Sequence, residues 1–205
     1  YCPVGGSKVM NEVAKRLGYS TPEHEPTVAV LHCNGTCENA PDKVEYIGLQ
    51  SCRLANRAFV GKTGCPNGCL RLGDCVRNCP FGAIEMDDQT GLPRVNPDKC
   101  TSCGACVRIC PRGLYEIRPR GKNGVMVYVA CSNKQKGATA RKNCKAACIA
   151  CMKCTKICPE VTVEENLSRI PPSVSAKLYG AELAAGCPTG AIVYTGAKGD
   201  KNEQN

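Results

Sequence analysis

The sequence predicts an α+β fold of short strands and helices held together by cysteine rather than by a broad apolar core. Three observations carry this. Cysteine supplies 19 of the 205 residues, a density at which it organises a fold. Aromatic residues are scarce, with no Trp and two Phe, and units of about 50 residues seldom build a sufficient core without disulfides or metals. Most telling, Cys52, Cys65, Cys69, Cys75 and Cys79 recur as Cys131, Cys144, Cys148, Cys154 and Cys158, and each set ends in Cys-Pro (Pro80, Pro159). Four independent gaps held constant mark a duplicated unit, C-x12-C-x3-C-x5-C-x3-C-P.

Along the chain, Val9, Val13 and Leu17 share one face of a short helix that Gly18 ends. Pro22 and Pro26 mark a linker. In residues 27–64, Thr27 to His32 alternates as a strand and delivers Cys33. Val44 to Gly48 is a second extended piece expected to pair with it, and Gln50 to Val60 is a short helix carrying Cys52. Residues 65–118 form the densest module. Its half-motifs are separated by short strands, Phe81–Met86 and Leu92–Val95, around a turn at Asp88–Gly91, and Leu114–Arg118 is another strand. Residues 119–195 form a second, partly degenerate module, with a strand at Val125–Ala130 delivering Cys131, a helix at Ser175–Leu183 and a final strand at Gly190–Tyr194. The polar tail, 196–205, is expected to be disordered.

The spacing points to iron–sulfur clusters. Cys100, Cys103, Cys106 and Cys110-Pro111 make an unbroken C-x2-C-x2-C-x3-C-P. Three such cysteines on one tight loop wrap a cubane corner by corner, and the fourth is carried to the other cluster of a bacterial-type, two-cluster ferredoxin-like module. Small residues such as Gly104 let backbone N–H groups approach the sulfurs. Zinc ribbons separate their cysteine pairs by a dozen or more residues, which this run does not. One cluster is therefore expected on Cys79, Cys100, Cys103 and Cys106. The partner half-motif, Cys69, Cys75 and Cys79-Pro80, carries Leu72 where a cysteine belongs. A second cluster is expected on Cys69, Cys75, Cys110 and either Cys65, preferred as nearest in sequence, or Cys52.

In the later unit Cys148, Cys151, Cys154 and Cys158-Pro159 are complete, but Cys187-Pro188 has Lys177, Gly180 and Leu183 where its three companions would stand. That half is expected to hold one cluster on Cys148, Cys151, Cys154 and Cys187, leaving Cys158 without a mate. Cys33, Cys131, Cys144 and whichever of Cys52 or Cys65 is left over suffice for one more cluster linking the halves, or are buried free thiols. The expectation is three [4Fe–4S] clusters with room for a fourth. Cys2 and Cys37 have no place in it.

Other classes fall away. The formal charge of +9 suggests a nucleic-acid partner, but each cubane with its four thiolates carries about −2, so roughly four would nearly cancel the excess. Arg71, Arg77, Arg108, Lys153 and Lys156 stand among the cysteines to screen that charge, and no nucleic-acid partner is expected. An odd cysteine count, tight C-x2-C runs and no signal peptide argue against extracellular disulfides. No apolar run approaches the roughly 20 residues that cross a bilayer. Gly61-Lys62-Thr63-Gly64 lacks the leading glycine of a P-loop, and His24 and His32 read as surface residues. No acid–base pair, nucleophile–base pair or flavin motif stands out, so no catalytic site is expected. Two rivals stand: an iron–sulfur subunit of a formate- or molybdenum-type oxidoreductase, and a structural zinc protein that binds nucleic acid.

The order of motifs resembles the B subunit of the Rnf complex, a membrane-bound electron-transfer assembly. The residues that carry the resemblance are Cys2-Pro3-Val4-Gly5-Gly6, Cys33-Asn34-Gly35, Ser51-Cys52-Arg53 and Gly68-Cys69-Leu70-Arg71-Leu72-Gly73-Asp74-Cys75, followed by the ferredoxin run. The resemblance implies that residues 1–26 are the remnant of that family's N-terminal four-cysteine module, with Cys2 its last cysteine, and a linker. It implies a cluster relay within an ion-translocating ferredoxin:NAD oxidoreductase, partnered by the other subunits of the complex and by soluble ferredoxin. The relay would work at the cytoplasmic face of the bacterial inner membrane, this soluble stretch lacking the N-terminal membrane helix.

Overall fold

The computed structural model describes residues 5–20, 25–121 and 124–196; Cys2, His24 and the tail from residue 197 lie outside them. In chain order the elements are α1 (Gly6–Arg16), β1 (Thr27–Leu31), α2 (Cys52–Ala58), α3 (Asp74–Arg77), β2 (Ile84–Asp87), β3 (Leu92–Val95), α4 (Ala105–Ile109) and β4 (Tyr115–Pro119). They continue with β5 (Val127–Val129), α5 (Gly137–Asn143), α6 (Lys153–Ile157), β6 (Thr162–Glu164), β7 (Leu167–Arg169), α7 (Ala176–Gly186) and β8 (Ile192–Tyr194).

Each half repeats one plan. An antiparallel pair formed by its first and last strands brackets an inner hairpin: β1·β4 around β2·β3, then β5·β8 around β6·β7. Leu31 stands opposite Tyr115 and Thr27 opposite Pro119; Val129 stands opposite Ile192 and Val127 opposite Tyr194. The outer pairs bring residues far apart in sequence together, and each delivers a cysteine just past its first strand (Cys33, Cys131).

Two expectations fail here. Residues 44–48 form no strand, and β4 takes the place beside β1 that they were expected to fill. An Ile47 that is 94% exposed has nothing to gain in a sheet, whereas β1 buries its three central residues. His32 is not a surface residue: its ring lies between Glu116 Oε2 at 2.8 Å and the Val129 carbonyl at 2.7 Å, tying the two halves together.

Candidate iron–sulfur sites

Three loops present cysteines with one local geometry. In each, the residues two and four positions after the first cysteine have left-handed backbone: Ser102 and Gly104 after Cys100, Ala150 and Met152 after Cys148, Arg71 and Gly73 after Cys69. Such φ values are costly for non-glycine residues, and they curl each loop so that its sulfurs face inward. The residue at +4 caps the short helix that follows, α4, α6 or α3. The third loop keeps this shape although Leu72 has replaced its middle cysteine. Arg77 donates to the Leu72 carbonyl at 2.9 Å and Arg108 to the Cys103 carbonyl at 3.1 Å, equivalent positions, so these arginines brace the loops. Arg71 instead staples residues 35–42 to the module through Asp42 and the carbonyls of Gly35 and Ala40.

The sulfurs surround four small cavities of similar size. One is lined by Cys79, Cys100, Cys103 and Cys106. A second is lined by Cys52, Cys69, Cys75 and Cys110. A third, between the halves, has Cys33, Cys65, Cys131 and Cys144, with Cys69 on the shared wall. The fourth has Cys148, Cys151, Cys154 and Cys187. The preference for Cys65 over Cys52 beside Leu72 is therefore reversed. Asp74, 7% exposed, accepts from the Arg53 N–H at 3.2 Å and lies 3.4 Å from Ser51 Oγ, which swings the start of α2 and its Cys52 onto the Cys75 loop. Cys65 faces the other way, its Sγ accepting from Asn133 Nδ2 at 3.5 Å.

Two described cysteines stay outside. Cys37 is exposed near Arg71. Cys158 is wholly buried, packed with Val161, Ile170, Val174 and Leu183.

The cavities fit an iron–sulfur cubane on their own chemistry. Backbone N–H groups converge on the sulfurs: Arg71 on Cys69, Ala83 on Cys79, Leu114 on Cys110 and Ser168 on Cys148, each at 3.3–3.4 Å. The Tyr115 hydroxyl donates to Cys75 at 3.4 Å. Burial pushes the thiols up, Cys106 to about 11 and Cys131 to about 12, so four thiolates would share such a hole only around a cationic core. At Cys187 burial acts the same way, but the N–H groups of Thr189 and Ile192 and the Thr189 hydroxyl outweigh it and lower the thiol. Among the described residues no three Cys, His, Asp or Glu side chains close on a point that one metal ion would occupy; the cysteines ring volumes instead. Sequence reasoning missed Tyr115 and Ser168. Both donate through the fold to loops distant in sequence, and neither lies in a motif.

Residues 63–114 match the family model described as a 4Fe-4S dicluster domain. The chain is 42% identical over 193 residues to the B subunit of the proton-translocating ferredoxin:NAD(+) oxidoreductase complex of Clostridium ljungdahlii, covering 93% of this chain and 66% of that protein. The B subunit of the Na(+)-translocating ferredoxin:NAD(+) oxidoreductase complex of Acetobacterium woodii is also 42% identical, over 93% of this chain and 56% of that protein. The B subunit of the ion-translocating oxidoreductase complex of Methanosarcina acetivorans is 36% identical, over 93% of this chain and 71% of that protein. The chain belongs to the family of Rnf-type B subunits. Within that family it is a ferredoxin-like [4Fe–4S] protein spanning about 56–71% of these relatives' lengths. In this Rnf-type protein, no helix among the described residues is long and apolar enough to cross a membrane.

Proposed function

We propose that the chain is a four-cluster electron relay serving an ion-translocating ferredoxin:NAD oxidoreductase, with 65–118 and 119–195 as its two modules. The observation that carries this is the order of the cavities. Cys75 and Cys79, and again Cys106 and Cys110, join the first cavity to the second. Cys65 and Cys69 join the second to the third, and Cys144 and Cys148 join the third to the fourth. Each joint is a step of four residues, at most about 14 Å even when fully extended. Two joints are also hydrogen-bonded. The Cys69 N–H donates to Cys33 Sγ and the Cys148 N–H to Cys131 Sγ, both at 3.4 Å. A bound cubane takes up and releases a single electron. The chain's own part is to hold the sites in line, keep them from water and tune them with N–H and hydroxyl donors.

On this reading the ligand sets are Cys79/Cys100/Cys103/Cys106, Cys52/Cys69/Cys75/Cys110, Cys33/Cys65/Cys131/Cys144 and Cys148/Cys151/Cys154/Cys187. The partners are other subunits of the membrane complex and ferredoxin, met at the cytoplasmic face. Anaerobically prepared protein should contain about sixteen irons and as many sulfides per chain. Cys52→Ser should abolish one ferredoxin-type electron paramagnetic resonance signal and Cys65→Ser a different one. Zinc in place of iron, or one and the same signal lost in both variants, would refute the assignment.

A further inference from the structure

Asn133 is 2% exposed and lies two residues past Cys131. Its backbone N–H donates to Cys131 Sγ and its side-chain Nδ2 to Cys65 Sγ, each at 3.5 Å. The side chain is not free to turn round, because Oδ1 accepts the Gln135 N–H at 2.9 Å, which leaves the amide nitrogen as the atom facing the cavity. One residue thus serves two of the four sulfurs of the cavity between the halves. With the Cys69 and Cys148 N–H groups, four donors reach that cavity's sulfurs among the described residues. Among bonds of 3.5 Å or less, the Cys79/Cys100/Cys103/Cys106 cavity receives one, from Ala83 to Cys79, with a further backbone N–H approach from Val107 to Cys106. The repeat supplies an internal contrast. The position equivalent to Asn133, two past Cys52, is Leu54, which has no side-chain donor and is 47% exposed.

We propose that Asn133 sets the potential of the linking cluster, holding it above that of the cluster on Cys79, Cys100, Cys103 and Cys106. Reduction adds negative charge to the cluster and its sulfurs, and a donor aimed at a ligand sulfur stabilises that charge, so each donor raises the potential. The buried amide acts strongly because little water competes with it. An electron passing from the cluster on Cys79, Cys100, Cys103 and Cys106 to the linking cluster then moves to a higher potential. This inference rests on the ligand assignment above.

The test is a redox titration of the loaded protein, followed by electron paramagnetic resonance, in Asn133→Leu and in the milder Asn133→Ser. Both remove the side-chain donor to Cys65 and keep the backbone donor to Cys131. One signal should titrate at a lower potential while the others stay where they are in the unmodified protein, with iron content unchanged. The signal that shifts should be the one that Cys144→Ser abolishes. If either variant keeps all its iron and no signal moves, or all signals move together, Asn133 has no such role. If Asn133→Leu loses iron, the Asn133→Ser titration decides by the same criteria. If one signal shifts but Cys144→Ser leaves that signal intact, the donor effect holds and the ligand assignment is what fails.

Discussion

The two halves solve the same problem with different materials. Around residues 65–118, two four-cysteine cavities lie among two small buried clusters, one of Ala29, Cys75, Ile84, Cys106 and Tyr115 and one of Cys52, Ala55, Leu70 and Leu72. The second half has one cavity of its own, and its buried cluster has twelve members, including Val161, Ile170, Val174 and Leu183. Where the ferredoxin pattern would place another loop of ligands, α7 puts Leu183 at zero exposure against the wholly buried Cys158. Gly180 backs so closely onto Tyr194 that a Cβ there would collide with the ring. Apolar packing has taken over the volume that a cluster would have organised.

The largest consequence concerns metal removal. Ligand binding in domains with small cores is folding free energy, so stripping iron under anaerobic chelation should unfold residues 65–118 almost completely and leave the α7–β8 region partly protected. Hydrogen exchange of the stripped protein checks this, and equal loss of protection in both halves would break the comparison.

A smaller effect is expected from Leu183→Ala. Deleting a fully buried leucine costs about 2–5 kcal/mol, so the melting transition of the second half should move down several degrees with iron content unchanged. A variant that instead lost iron would show that α7 supports a cluster site.

The smallest effect is on the pH dependence of the stripped protein. The Cys106 thiol is pushed up to about 11 from 9.0, chiefly by burial, so folding favours its neutral form. That contribution is complete below about pH 9 and is lost as the pH rises towards about 11. Cys187 is shifted the other way and favours folding as the thiolate, so its contribution fades as the pH falls. Raising the pH should therefore oppose refolding of the stripped first half, while lowering it should loosen the α7–β8 region that stays protected; protection that is independent of pH in both would contradict this.

What could be read from sequence depended on how local the determinant was. The Cys100–Cys110 run, the β2–β3 hairpin and the helix around Cys52 lie within short windows, where spacing and turn residues suffice. Choosing between Cys52 and Cys65 did not, because nearness in sequence stood in for nearness in space, and the deciding contacts are Asp74 with Ser51 and Arg53 and Asn133 with Cys65. The β1–β4 pairing was hidden for the same reason, since its strands enclose an entire module. The β6–β7 hairpin is a turn at Glu165 and Asn166, both left-handed, between strands of three residues, too short for any periodicity to register.

The cavity between the halves draws its cysteines from residues 33, 65, 131 and 144, while the cavity of Cys79, Cys100, Cys103 and Cys106 is complete once the chain reaches residue 106. During synthesis the early site is complete well before the shared one exists. Closing long loops also slows its formation. Filling the shared site after both sites of the first module ties it to assembly: a chain with that site loaded has already brought the start of the second module against the first.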